Sequence, residues 1–205
     1  MTDERTIASE ETADRIRREA AKLFVERGYA ATTMKAVAEQ VGMTAAALYW
    51  HYPSKESILY AHLIQSIEEL IDEARAVASE GSPSERLTAL ARTHVLVGIR
   101  QTGEGTVDAN HGIVQLARFL GQEERQTIAA MQRRHLRFTR KIIRDGIAAG
   151  EFRPVDLTPT AFAILTLCDA ASVWYSPKGR LSPDVVADLY ADLVLRMVDG
   201  VSASA

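Results

Sequence analysis

A serine or threonine is followed directly by a proline at four places in this 205-residue chain, and three of these pairs stand where a helix is expected to begin: Ser82-Pro83, Thr158-Pro159 and Ser182-Pro183. A capping hydroxyl before a first-turn proline is typical of a helix start, because the missing N–H of proline would have no partner there anyway. Glu85, three residues after Ser82, completes a capping box. No stretch alternates polar and apolar residues as a strand would. We therefore predict an all-α fold.

The predicted helices, about nine in number, cover residues 10–27, 33–40, 44–51, 55–80, 83–101, 107–120, 122–149, 159–175 and 183–199. Five glycines follow helical stretches, where a left-handed residue is favoured: Gly28, Gly42, Gly81, Gly150 and Gly200. Short helices give way to long ones near residue 55. We expect a three-helix N-terminal domain over residues 1–55 and a helical bundle over residues 56–205, with the helix at 55–80 as a rigid joint.

Composition narrows the class of protein. The single cysteine, Cys168, excludes an internal disulfide framework and is expected to be buried and inert. The polar, acidic N-terminus does not resemble a signal peptide, and no apolar run reaches the length needed to span a bilayer, so we expect a soluble cytoplasmic protein without membrane contact. The net charge is −3, but residues 15–55 carry seven basic and three acidic side chains. This positive block is the expected nucleic-acid-binding part.

Residues 33–51 have the pattern of a helix-turn-helix. Apolar residues at helical spacing predict an inner face on two short helices and on the helix before them: Ile16, Ala20, Leu23, Phe24, Met34, Val37, Ala38, Val41 and Leu48. Gly42 supplies the turn and Thr44 caps the second helix. The same pattern also fits a packed helical hairpin that binds no DNA.

The run ERGYAATTMKAVAEQVGMTAAALYWHYPSKESIL resembles the N-terminal sequence of the TetR family of transcriptional regulators. The likeness covers about the first 60 residues and lies in the turn, cap and aromatic positions. It implies a helix-turn-helix that binds double-stranded operator DNA and a C-terminal domain that dimerises and binds a small effector.

The resemblance implies a set of DNA-binding residues: Thr33, Lys35, Thr44, Ala45, Ala46, Tyr49, His51, Tyr52 and Lys55. Thr33 at a helix N-terminus suits a phosphate. The alanines limit bidentate hydrogen bonding to bases, so base recognition is expected to depend on Thr44, Tyr49 and methyl contacts. The alternative for the aromatic residues is a place in the hydrophobic core.

Residues 168–197 resemble a TetR subgroup that responds to acyl-CoA thioesters of fatty-acid or steroid catabolism. The predicted ligand-binding residues are Trp174, Tyr175, Lys178 and Arg180, a basic stripe formed by Arg133, Arg137, Arg140, Lys141 and Arg144, and also Arg118 and Phe119. Aromatic rings beside cations suit a nucleotide with phosphates. The alternatives are a core tryptophan and solvated charges.

In TetR-like proteins the last two long helices pair with a second copy of the chain. The dimer-interface residues predicted on this basis are Phe162, Leu165, Val173, Leu189, Leu193, Arg196 and Met197. A two-fold dimer implies a palindromic operator with half-sites roughly 34 Å apart.

No metal site, cofactor or catalytic motif is predicted, so we expect a regulator that is not an enzyme. The five histidines show no ligand spacing, and Asp108 and His111 form only a weak candidate site. One alternative is a TetR-type regulator of efflux that responds to hydrophobic drugs. Another is a helical enzyme or scaffold with a vestigial helix-turn-helix.

Overall fold

The computed structural model describes residues 3–103 and 116–199, and every regular element in them is helical. The helices are α1 (Asp3–Arg27), α2 (Met34–Gln40), α3 (Ala45–His51), α4 (Lys55–Val77), α5 (Pro83–Gly103), a 3₁₀ turn (Ala117–Phe119), α6 (Gln122–Ala148), α7 (Leu157–Trp174) and α8 (Pro183–Val198). The all-α prediction is confirmed. Most of the helix predicted at 107–120 lies outside the described residues, as do Asp108, His111 and Gly200.

Two of the three predicted proline caps are confirmed. The Ser82 N–H donates to Glu85 Oε2 over 2.8 Å, and the Glu85 N–H donates to Ser82 Oγ over 3.2 Å, which is a complete capping box. Ser182 Oγ accepts from the Val185 N–H. Thr158 is not a cap. Asp156 accepts from the Thr158 N–H, so α7 begins two residues earlier than predicted and Pro159 lies within its first turn.

The chain forms two compact units. The first contains residues up to Ser66 together with Gln101–Gln126, and the second contains Ile67–Arg100 together with the residues from Thr127 onwards. The division therefore falls inside α4, α5 and α6. The functional boundary at residue 55 remains a prediction.

The core of the first unit includes the helix-turn-helix residues expected to point inward. Ile16, Ala20, Leu23, Phe24, Val37, Ala38, Val41 and Leu48 are all buried. Met34 is half-buried at the edge of this core. The first unit is thus assembled around the face that the sequence pattern indicates.

The core of the second unit is formed by α5, α6, α7 and α8. Leu90, Ile142, Ile164 and Val194 are fully buried in it, and Cys168 is buried among them, as predicted. Burial raises the pKa of the Cys168 thiol.

Contrary to the expectation from sequence, α7 is long and apolar enough to cross a membrane by length and composition alone, with a mean hydropathy of 1.3. Its Asp169, however, is hydrogen-bonded to His94 of α5 inside the second unit. One face of α7, which includes Ile164 and Cys168, is buried in the core of that unit.

Candidate nucleic-acid interface and effector domain

The two helices of the helix-turn-helix begin at threonine caps. Thr33 Oγ1 accepts from the Ala36 N–H over 3.1 Å, and Thr44 Oγ1 accepts from the Ala47 N–H over 3.2 Å. Each hydroxyl therefore fixes a helix start and keeps its own proton for donation. Gly42 adopts a φ of +69°, a left-handed conformation that allows the tight turn between α2 and α3.

The solvent-facing side of α3 carries two aromatic side chains. Tyr49 is 51% exposed and Trp50 is 75% exposed, so neither is a core residue. Ala45 and Ala46 at the start of the helix are also exposed. Trp50 was not among the predicted DNA-binding residues, although its position four residues after Ala46 would have indicated that it shares this face.

Lys55 and Tyr52 make internal contacts. Lys55 Nζ donates to the carbonyl oxygens of Tyr29 and Thr32 over 2.7 and 2.8 Å, and it lies 4.3 Å from the centre of the Tyr29 ring. The Tyr52 hydroxyl donates to the Ala13 carbonyl over 3.3 Å, and burial raises its pKa. Lys55 therefore fixes the loop between α1 and α2, and Tyr52 fixes the end of α3 against α1. The contacts of both side chains with phosphate remain a prediction.

The remaining predicted DNA-binding side chains lie at the surface. The Lys35 side chain is 84% exposed, with Glu39 3.8 Å away across one helical turn. His51 is half-buried and contacts Trp50 edge to face. Thr33, Tyr49 and Lys55 line one open cleft beside α3. The Thr33 and Tyr49 hydroxyls in this cleft are groups that bind a phosphate, whereas the Lys55 ammonium is bonded to loop carbonyls. The Glu56 carboxylate also lines the cleft.

Arg118 and Phe119 belong to the first unit. The Phe119 ring lies 4.5 Å from the Tyr29 ring, and the Arg118 guanidinium lies 4.7 Å from the Phe119 ring. Phe119 therefore contacts the loop after α1, and Arg118 contacts Phe119. Their role in ligand binding remains a prediction.

Trp174 does not face the interior of the bundle, so the alternative of a core tryptophan is wrong. Its side chain is 51% exposed, and its Nε1–H donates to the Tyr190 hydroxyl of α8 over 2.7 Å. The inner face of α7 is formed by Ala161, Ile164, Cys168 and Ala171, and Trp174 continues the opposite face. Tyr175 does pack against the core, while Lys178 and Arg180 are exposed in the following loop.

An exposed apolar face runs along α7 and α8. It is formed by Phe162, Val173, Trp174, Val185, Leu189 and Leu193. Four of these are predicted dimer-interface residues. Of the others, Leu165 and Met197 are half-buried against the core, and Arg196 pairs with Asp192 over 2.8 Å.

The predicted basic stripe on α6 lies on the side of the helix away from its buried residues. Arg133, Arg137, Lys141 and Arg144 are exposed and Arg140 is half-buried. Lys141 is paired with Asp145 over 2.8 Å. The buried face carries Ile128, His135, Thr139, Ile142, Ile143 and Gly146.

Sequence reasoning missed a buried polar cluster in the second unit. His94 Nε2 lies 2.6 Å from Asp169 Oδ1, and the ring of His94 lies 5.5 Å from that of His135. Burial, His94 and Arg75 lower the pKa of His135 to about 3. The position of His135 in the series 128, 135, 139, 142 was the available signal that it faces inward. Among the described residues, no group of three or more His, Cys, Asp or Glu could hold a metal.

A capped helix-turn-helix with an exposed aromatic face, followed by a helical bundle, defines a DNA-binding transcriptional regulator. The chain belongs to the TetR family. The sequence model described as "Bacterial regulatory proteins, tetR family" matches residues 16–61. A second, "Tetracyclin repressor-like, C-terminal domain", matches residues 80–198.

The chain is similar to individual regulators over most of its length. The transcriptional repressor KstR2 of Rhodococcus jostii is 30% identical over 184 residues, which covers 86% of this chain and 85% of the relative. The structure of the ketosteroid transcriptional regulator KstR2 of Mycobacterium tuberculosis has a TM-score of 0.79 at 26% identity, covering 92% and 95% of the two chains. The structure of AibR with isovaleryl coenzyme A and operator DNA has a TM-score of 0.78 at 28% identity, covering 89% and 97%.

Proposed function

We propose that this protein is a cytoplasmic repressor that binds a palindromic operator as a homodimer and leaves it on binding an acyl-CoA thioester. The observation that carries the proposal is the face of α3, where Tyr49 and Trp50 are exposed beside the helix start capped by Thr44. A large apolar surface on a recognition helix is costly in water and is useful against a DNA groove.

The contacts on DNA follow from the chemistry of this face. The Thr44 hydroxyl keeps its proton and donates to a base or phosphate oxygen. The exposed methyl groups of Ala45 and Ala46 suit thymine methyls. Lys35 adds a charge for a phosphate. Lys55 fixes the loop before α2, and Tyr52 fixes the end of α3 against α1, so both side chains help to position these groups.

The exposed apolar face of α7 and α8 supports a homodimer. Leu189 and Leu193 lie one turn apart on α8, and Phe162 and Val173 lie on the same exposed side of α7. An exposed apolar surface of this kind is typical of a site where another protein chain binds. A two-fold pairing of this face with itself gives one recognition helix for each half-site.

Two relatives support the choice of effector. AibR has been crystallised with isovaleryl coenzyme A and operator DNA, and KstR2 is named a ketosteroid regulator. In this chain the exposed arginines of α6 supply cations for the phosphates of a CoA. A ligand that favours one arrangement of the bundle would act through the continuous helix α4, which begins directly after the helix-turn-helix. A coupling free energy of about 1–3 kcal/mol is enough for such a response.

The test is fluorescence anisotropy of the protein on DNA from immediately upstream of its own gene. Medium-chain, long-chain and steroid-derived acyl-CoAs are titrated into the preformed complex, with the free acids and CoA alone as controls. Release by a thioester but by neither control supports the proposal. Operator binding that no thioester disturbs would contradict the effector and favour a regulator that responds to hydrophobic drugs. An absence of salt-sensitive, sequence-selective binding would contradict the repressor itself.

Trp50→Ala tests the DNA face directly. We expect weaker operator binding with an unchanged melting temperature, because the side chain is largely exposed and supports little of the fold. Val25→Ala is the matched control, since Val25 is also an exposed apolar residue of the first unit. Equal operator affinity in both variants would exclude Trp50 from the interface.

A further inference from the structure

One buried histidine in the second unit lacks the hydrogen bonds that its ring requires. His135 of α6 is only 5% exposed, and neither of its ring nitrogens has a partner among the described residues. Buried polar atoms without partners are rare in folded proteins, and each one calls for an explanation, of which a bound molecule is one. The DNA-binding role proposed above makes no use of it.

The surroundings of His135 fix the form in which its ring is present. Burial, the neighbouring His94 ring and the positive charge of Arg75 all disfavour the imidazolium and lower the pKa of His135 to about 3. At neutral pH the ring is therefore uncharged and carries one N–H donor. His94 is held from the opposite side by Asp169, whose carboxylate lies 2.6 Å from Nε2.

The other side chains on the inner face of α6 do not supply an acceptor. Ile128, Ile142 and Ile143 are apolar and buried. The Thr139 hydroxyl donates to the His135 backbone carbonyl within the helix, over 3.2 Å. On α6 the N–H of the His135 ring thus lies on a face of isoleucines, with the His94 ring and the charge of Arg75 nearby, and a single acceptor atom on an otherwise apolar molecule would satisfy it.

We propose that His135 is a recognition residue of the effector site, and that its ring N–H donates a hydrogen bond to a carbonyl oxygen of an otherwise apolar acyl ligand. This role rests on the proposed function, because it takes the effector to be an acyl compound. It adds the group of the protein that recognises that compound, which is the ring N–H of His135. The carbonyl has two sources, the thioester itself or an oxo group on the acyl chain.

The main test is direct ligand binding to the full-length protein without DNA, by isothermal titration calorimetry. The probes are decanoyl-CoA, a decanoyl-CoA with an oxo group on the chain, and the neutral ketone 2-decanone. We expect His135→Leu to weaken binding by about tenfold, the usual contribution of one buried hydrogen bond at the upper end of its range. His135→Gln, which keeps an N–H donor, restores part of the loss. Gln132→Leu places the same leucine on the exposed side of α6 and leaves affinity unchanged.

The pattern of losses identifies the source of the carbonyl. An equal loss of affinity for both thioesters assigns the hydrogen bond to the thioester carbonyl. A loss of affinity confined to the thioester with the oxo group and to the ketone assigns it to the carbonyl on the chain. If no thioester binds but 2-decanone binds in a manner that depends on His135, the acyl-CoA effector is wrong and the recognition residue stands. Unchanged affinity of His135→Leu for every probe that binds, or no binding of any probe to the wild type, overturns the inference.

Two further measurements separate ligand recognition from a structural role. Removing an unpaired buried polar group should raise the melting temperature of the ligand-free protein, so His135→Leu becomes more stable while it binds ligand less tightly. A ¹³C-labelled carbonyl should show an infrared stretch at lower frequency when bound to the wild type, and this shift should disappear in His135→Leu. Lower stability with unchanged affinity and an unshifted carbonyl would show that His135 only fills the core.

Discussion

The folded protein favours the neutral form of His135, and this gives a prediction about pH. The pKa of His135 is lowered from 6.5 to about 3, so below pH 6.5 the unfolded chain binds a proton that the folded chain does not. Stability contributed by the neutral ring is therefore present above pH 6.5 and is lost as the pH falls towards 3. Between pH 7 and pH 5 the loss should be about 2 kcal/mol.

Urea unfolding of the wild type and of His135→Leu at pH 7 and pH 5 measures this contribution. Carboxyl groups with lowered pKa values, such as Glu19 and Asp145, lose their contribution only below about pH 4.5 and do not interfere in this window. The variant should lack most of the loss seen in the wild type. An identical loss in both proteins would mean that His135 is not the residue that titrates.

Lys55 and Lys35 should differ in what their replacement changes. The Lys55 ammonium bonds to two loop carbonyls, so Lys55→Met should lower the free energy of unfolding by about 1–2 kcal/mol and weaken operator binding through the loop. Because the charge is held inside the protein, the salt dependence of binding should change little. Lys35 is exposed, and Lys35→Met should leave stability unchanged but reduce the salt slope by about 1.

Melting curves and operator titrations at several salt concentrations compare the two variants. A reduced salt slope for Lys55→Met with unchanged stability would assign Lys55 to a phosphate, as the resemblance implies. An unchanged slope for Lys35→Met would remove Lys35 from the DNA-binding surface.

At the scale of one element, the end of α6 depends on the small size of Gly146. The N–H groups of Glu151 and Phe152 both donate to the Gly146 carbonyl, and Gly150 adopts the left-handed conformation that allows the chain to turn back. The Phe152 ring then lies where a side chain at position 146 would be, since an added Cβ would come within van der Waals overlap of the ring.

Gly146→Ala should therefore lower the free energy of unfolding by about 1–3 kcal/mol, even though alanine favours the helix. Urea denaturation measures the change. Ala148→Gly, an exposed position two residues on, is the control and should cost up to about 1 kcal/mol through helix propensity alone. A Gly146→Ala variant as stable as the wild type would show that the Phe152 ring moves without cost.

The element boundaries show which parts of the fold can be inferred from local sequence. Ser82 and Ser182 were identifiable as caps because the hydroxyl, the proline and the following residues all indicate the same start. Thr158-Pro159 has a similar pattern, but Asp156 accepts the hydrogen bond instead. Proline is tolerated throughout the first turn, so its position alone does not fix the first residue.

The inward face of the helix-turn-helix was predictable because its apolar spacing repeats over α1 and the two short helices α2 and α3. The environment of Trp174 could not be predicted, because an apolar residue on an amphipathic helix packs either against the core of its own chain or against another chain. The pairing of His94 with Asp169, and its approach to His135, joins three helices that are distant in sequence. No local pattern encodes such a contact.

At the scale of the whole molecule, the exposed face of α7 and α8 predicts how the chain associates. Its large side chains include Phe162, Val173, Leu189 and Leu193, which are between 46% and 64% exposed. Covering such a surface with a partner stabilises the association by about 25 cal/mol for each Å² of apolar area removed from water. A two-fold interface brings each residue of the face against the same face of the partner, so a single substitution acts twice.

Leu189→Glu should convert the dimer to a monomer, because two carboxylates would be buried without partners in the same interface. Sedimentation velocity at micromolar concentration should show half the mass of the wild type, and the affinity for a two-half-site operator should fall. Val77→Glu is the matched control, since Val77 is also 50% exposed but lies at the end of α4. It should remain dimeric. A wild type that is monomeric, or a Leu189→Glu variant that stays dimeric, would place the interface elsewhere and would leave the apolar face for a different partner.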